Sequence, residues 1–190
     1  VINMKLFIAV LFDKQTKEFI FNQYSKYITS KTIKFLNFES QERLHITIKY
    51  IGQIDYNLLN DISNVLDDSI RQINITPFEI EIGKKFGFFP SFKNPRIWWL
   101  RAQEENTNYL FELYELLNNE LIKFNVRNEL KNFTPHITLA RIKNPKYFFE
   151  LNIDEKTVIH IQKMNVDSFA IMQSINGEYK LLRKCALNKK

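Results

Sequence analysis

The sequence predicts an α+β fold: two pseudo-symmetric lobes, each an antiparallel sheet with outer helices, the sheets facing a central cleft. Three observations predict it. Apolar residues switch between period two and period 3.6 along the chain, giving strand–helix–strand in each half. A short frame, His-Ile-Thr followed by an aliphatic residue, occurs at residues 45–48 and again at residues 136–139, nearly half the chain apart. Four Gly and five Pro in 190 residues leave little room for a linker, so one domain over residues 1–190 is expected.

Residues 5–12 read as a strand. Residues 14–28 follow with Phe19, Ile20, Tyr24 and Tyr27 at helical spacing, behind Asp13 as a cap. In residues 44–51, Leu44, Ile46 and Ile48 point to one face; His45, Thr47 and Lys49 point to the other. Gly52 is expected to stop this strand. Leu58, Leu59, Ile62, Val65, Leu66 and Ile70 form the stripe of a helix over 56–73, with Asp55 as N-cap. Phe78, Ile80 and Ile82 alternate with Glu79 and Glu81, a strand. Residues 84–95 break every period and read as a loop, with Gly87, Pro90 and Pro95. A strand over 97–102 and a helix over 108–124 come next. The second motif strand covers 135–142, and 145–151 read as a short helix. Strands follow at 158–166, 167–174 and 179–187, the last two joined by a turn at Asn176-Gly177.

Hydrophobic content of 45% and seventeen Phe indicate a folded chain with a substantial core. The net charge of +6, from 27 basic and 21 acidic residues, suits a polyanionic partner, although mild basicity is more often background. The single Cys185 excludes an internal disulfide and suits a reducing compartment, where it fills core. No apolar run approaches the ~20 residues of a membrane span. The apolar start, residues 6–12, runs into Asp13 and Lys14 without a small-residue cleavage site, so it reads as a strand and not a signal peptide. A cytoplasmic monomer without membrane contact is expected.

The chain has three His and nine Thr, and two of the His carry a Thr two places on. Chance gives two such hits in three at about the 1% level. Each motif strand offers an imidazole and a hydroxyl on one face. This set suits metal-free phosphoester chemistry. A neutral imidazole can take a proton from water; a protonated one can give a proton to a leaving alkoxide. Thr47 and Thr138 can donate to non-bridging phosphate oxygens. A 2′,3′-cyclic phosphate at an RNA end suits such a pair, because its strained ring holds phosphorus in place. Zinc needs three or four ligands. His160 is the only other histidine and no Cys or acidic cluster shares the spacing, so neither metal nor cofactor is expected.

These paired motifs resemble those of the 2H phosphoesterase superfamily, and within it the RNA 2′,3′-cyclic phosphodiesterase family, historically called 2′-5′ RNA ligases. Residues 4–12 are similar to that family's first strand and 43–52 to its first motif. Residues 86–100, with Gly87, Phe89-Pro90 and Pro95-Arg96, resemble its middle loop and strand. Residues 133–141 resemble its second motif and 169–179 its final hairpin. The resemblance implies hydrolysis of RNA ends bearing a 2′,3′-cyclic phosphate to a 2′-phosphate, with His136 as general base and His45 as general acid. It also implies phosphate contacts from Thr47, Thr138 and Arg141. Strict alternation buries Arg141; a bulge or strand end near Ala140 would turn it toward phosphate, and a surface ion pair is the other reading. Lys49, Phe12 and Phe89 are further candidate substrate contacts. The family commonly has Phe-Arg-Pro-His where this chain has Thr134 before Pro135, a departure that touches RNA binding. Ligation at the same site and RNA binding without turnover are the alternatives.

Overall fold

In the computed structural model, residues 3–129, 132–154, 156–157 and 159–188 are described. The chain runs β1 (Asn3–Leu11), α1 (Lys14–Tyr24), β2 (Leu36–Phe38), β3 (His45–Asp55), α2 (Leu59–Ile73), β4 (Phe78–Phe89) and β5 (Ile97–Glu104). It continues through α3 (Tyr109–Glu120), β6 (His136–Ile142), α4 (Pro145–Phe148), β7 (Ile159–Val166), β8 (Ser168–Ile175) and β9 (Glu178–Ala186). Neighbouring strands pair antiparallel in the order β7-β4-β5-β6-β3-β1-β8-β9, with the short β2 on β6. The α+β fold is therefore built on one nine-stranded sheet, not two separate ones, with two halves, β9-β8-β1-β3 and β7-β4-β5-β6. They meet at one backbone pairing, Ile46 with Ile137, between the two motif strands.

The lobes interlock. The chain leaves the first after β3, builds the second from β4 to β7, and returns for β8 and β9. Helix α1 belongs in sequence to the first lobe but packs on β7, where Gln162 Nε2 donates to Thr16 Oγ1 at 3.2 Å. Helix α3 packs against β3 and α2. The main core lies between the outer helices and the inner sheet faces, built from residues such as Leu6, Ile46, Leu66, Phe86, Trp98, Leu117 and Ile137. A smaller cluster of Phe7, Ala9, Ala170 and Met172 lies on the opposite face of the first sheet.

Local signals held where they are short-range. Asp13 caps α1, its carboxylate accepting from Thr16 N at 2.7 Å. Asp55 accepts from Asn57 N at 3.0 Å, opening a single 3₁₀ turn that leads into α2. Asn176 (φ 50°) and Gly177 (φ 85°) form the tight β8–β9 turn. Two expectations are corrected, and one strand was not anticipated. Gly52, at φ 86°, does not stop β3; it bulges the strand, which continues to Asp55. Residues 84–89 are not loop but the second half of β4. Two extra residues around Gly83 and Lys84 loop out between the Ile82–Ala102 and Phe86–Leu100 pairs, and this slip returns Phe86 and Phe88 to the core. Strand β2 carried no sequence signal; it exists by pairing with β6. Val158, expected to open β7, lies outside the described residues.

Candidate active site

The two motif strands repeat one pattern of exposure. In β3 and in β6, residues one to seven run half-buried, buried, half-buried, buried, buried, exposed, buried. The double buried step is a bulge. In the first lobe, Ala9 pairs Thr47 while Ile8 pairs Lys49; in the second, Trp99 pairs Thr138 while Trp98 pairs Ala140. The slip brings a third side chain onto the face of each His-Thr pair: Tyr50 beside His45 and Thr47, Arg141 beside His136 and Thr138. Antiparallel pairing of Ile46 with Ile137 then sets His45 across from Thr138, and Thr47 across from His136.

Both imidazoles are held alike. His45 Nδ1 lies 2.6 Å from the Arg43 carbonyl, and His136 Nδ1 lies 2.7 Å from the Thr134 carbonyl. A carbonyl only accepts, so Nδ1 carries the proton in each and Nε2 keeps its lone pair. His45 Nε2 accepts from Thr47 Oγ1 at 2.9 Å. Burial pushes the His45 imidazole down to about 4; the Arg43 carbonyl opposes this, and the charges of His136, Arg43 and Lys17 add to it. Burial also lowers His136, against the Thr134 carbonyl.

A cleft of about 150 Å³ lies over this face, lined by Phe7, Arg43, His45, Thr47, Tyr50, Thr138, Arg141 and Tyr179, among others. The ring of Phe7 packs 5.0 Å from His45, and Tyr179 stands perpendicular to His45 at 5.3 Å. The Arg43 guanidinium lies over the Tyr179 ring at 4.5 Å and donates to its hydroxyl at 3.0 Å. Its Nε is 3.2 Å from Glu39 Oε2, an ion pair by distance without hydrogen-bond alignment. On the other side, His136 meets Phe89 at 4.9 Å and Trp99 at 5.8 Å, and those two rings stack on each other.

The structure thus brings together His45, Thr47, His136, Thr138, Arg141 and Phe89. It does not bring Lys49 or Phe12 to the cleft. The β3 bulge turns Lys49 inward, where it is fully buried and bonded to Asn118 and the Arg127 carbonyl. Phe12 follows the end of β1 and packs in the main core. Thr134 contributes through its backbone carbonyl, so anchoring of His136 does not depend on its side chain. Phe7, Tyr50, Arg43 and Tyr179 were missed. Phe7 and Tyr50 are backbone partners, visible once the β1–β3 register is known. Tyr179 carried a signal in the Asn176-Gly177 turn that delivers it. His160 is exposed on β7, away from the cleft residues. Among the described residues, no three His, Cys, Asp or Glu side chains gather to hold a metal, and no helix is long and apolar enough to cross a membrane.

Fold and site together define a two-lobed α+β protein built around paired His-x-Thr strands. A profile of the 2′-5′ RNA ligase superfamily matches residues 34–178. A Thermotoga maritima protein named RNA 2′,3′-cyclic phosphodiesterase is 33% identical, across 77% of this chain and 76% of its own. One of the same name from Methanothermobacter thermautotrophicus is 31% identical, across 73% of each chain. The crystal structure of TT0787 of Thermus thermophilus matches with a TM-score of 0.75 at 22% identity, covering 98% of this chain and 100% of that one. E. coli LigT complexed with 3′-AMP matches with a TM-score of 0.73 at 18% identity, covering 99% and 100%. The chain belongs to the 2′-5′ RNA ligase superfamily.

Proposed function

We propose that this protein is an RNA 2′,3′-cyclic phosphodiesterase that opens the cyclic phosphate at an RNA end to a 2′-phosphate. One observation supports the reading: two imidazoles with Nδ1 anchored to backbone, and two hydroxyls, alternate on one face of the two paired motif strands. Relatives at about 30% identity bear that name. The chain is read as one domain acting as a monomer in the cytoplasm.

In the reaction, water attacks phosphorus in line with the bond to the ribose 3′-oxygen. His136 Nε2 takes the proton of the attacking water. The P–O3′ bond breaks, and His45, protonated on Nε2, gives its proton to O3′, leaving a 2′-phosphomonoester. Thr47, Thr138 and Arg141 donate to the non-bridging oxygens, where charge builds. The bound phosphate anion has a further task. Burial and Arg43 disfavour a charge on His45 in the free protein, and an adjacent phosphate restores it. The substrate thereby charges its own acid.

The test is incubation of the purified protein, with EDTA present, with an RNA oligonucleotide ending in 2′,3′-cyclic phosphate. A 2′-monophosphate, read by phosphatase sensitivity and mass, is expected. A 3′-monophosphate would reverse the regiochemistry, and tight binding with no product would leave an RNA-binding module.

A further inference from the structure

A second cavity, of about 440 Å³, opens beside His136 and is distinct from the cleft over the His-Thr pairs. Strand β5 supplies Trp99 and Arg101 to it. Trp99 pairs with Thr138 and Arg101 with His136, so both side chains leave the sheet on the face of the second motif. The first lobe has no counterpart: the matching partners of Thr47 and His45 are Ala9 and Leu11.

Three charged residues line this cavity: Lys85, Arg101 and Glu104. Glu104 is already engaged. It accepts from Thr107 Oγ1 at 2.6 Å and from the backbone N–H groups of Tyr109 and Leu110 at the start of α3, at 2.7 and 3.0 Å. Lys85 and Arg101 make no ion pair or side-chain hydrogen bond among the described residues. The remaining walls include the aromatic rings of Trp99, Phe111 and Phe133. The cavity therefore offers two cations held by no ion pair, one carboxylate turned to neutral donors, and flat apolar surface. Its volume falls in the range that holds a small organic group.

A cyclic-phosphate terminus presents one phosphate to the histidines. Cations beyond it answer a second phosphate, and in an RNA end that is the phosphodiester on the 5′ side of the terminal ribose. We propose that the cavity is a subsite for the nucleotide preceding the terminal one. Arg101 and Lys85 hold the phosphodiester, and the aromatic wall takes a base by stacking. The inference rests on the proposed activity and deepens it: the substrate is an oligonucleotide end, not a mononucleotide.

The experiment compares kcat/KM for uridine 2′,3′-cyclic monophosphate with that for a dinucleotide ending in the same group, for the wild type and Arg101→Gln. Wild type is expected to prefer the dinucleotide, and Arg101→Gln to reduce that preference about tenfold through KM. For the dinucleotide, the slope of log kcat/KM against log salt should also shrink by about one in the variant. Equal losses on both substrates would assign the cavity to the terminal nucleotide and overturn the subsite. So would an unchanged preference. Wild-type turnover of the mononucleotide reads the activity by itself. If neither substrate turns over, affinity of the dinucleotide for wild type and Arg101→Gln still decides the subsite.

Discussion

Lys49 Nζ donates to Asn118 Oδ1 at 2.7 Å, with both side chains buried beneath the first motif strand. The same ammonium donates to the Arg127 carbonyl at 2.8 Å and lies 3.6 Å from Glu129 Oε2. Asn118 in turn accepts from Glu129 N at 2.8 Å and donates to the Glu129 carbonyl at 2.9 Å. The second motif has Ala140 at the position of Lys49. One lobe therefore carries a buried cation that fastens residues 127–129 to β3, on the chain path toward Thr134 and His136. Lys49→Met keeps the volume but strands the Arg127 carbonyl and leaves Asn118 Oδ1 with the Glu129 N–H alone. It is expected to cost about 2–4 kcal/mol in denaturant unfolding. A loss below about 1 kcal/mol would mean that the network closes without the ammonium.

The placement of Lys49 shows which parts of the site the sequence could reveal. His45, Thr47, His136 and Thr138 were legible because strand alternation over three residues is local. One bulge later the phase slips. Lys49 turns into the core, and Tyr50 and Arg141 turn out to the cleft. For Arg141 the break in alternation at Ala140 was visible; for Lys49 no polar neighbour in sequence betrayed Asn118, which arrives from α3. Phe7 and Tyr179 meet His45 from strands distant in the chain, so only the sheet order β8-β1-β3 and the final hairpin bring them there.

Folding stability should fall on the acid side of neutrality. His45 takes its proton near 6.5 when unfolded but only at about 4 when folded. Between those values the unfolded chain binds more protons, so stability decreases as pH drops and is fully present above about 6.5. The loss from this residue is about 2–3 kcal/mol. Denaturant midpoints from pH 7.5 to pH 4.5 check it, with His45→Gln expected to show a shallower decline than wild type.

The rate should be bell-shaped in pH, with different centres for two parameters. The kcat/KM profile reports the free protein, where burial lowers both imidazoles. Its optimum is expected below pH 6.5. The kcat profile reports the complex, where the phosphate anion favours imidazolium, so its centre should move to higher pH. Coincident optima would show that bound phosphate does not recharge the acid.

Gly87 is the floor on which Trp99 lies: a Cβ there would run into the indole ring. Gly87→Ala should displace Trp99 from Phe89 and His136 while leaving the β4–β5 backbone pairing intact. An altered tryptophan emission together with a fall of about tenfold in kcat/KM is expected. Unchanged kinetics with a shifted emission would show that the indole does not position His136.

The division of labour between the histidines can be separated by changing the leaving group. In the free protein the charges of Arg43, Lys17 and His136 all oppose a proton on His45, whereas His136 is lowered by burial alone. The proposed roles depend on phosphate bound against His45, where it offsets those charges. Replacing the bridging 3′-oxygen of the cyclic phosphate by sulfur gives a thiolate leaving group that needs no acid, so loss of the acid should matter little on that substrate. His45→Ala is expected to lose about 10²–10⁴-fold on the oxygen substrate and to recover most of it on the sulfur one. His136→Ala should stay slow on both, because the attacking water still needs its base. Recovery in His136→Ala and not in His45→Ala would exchange the two roles.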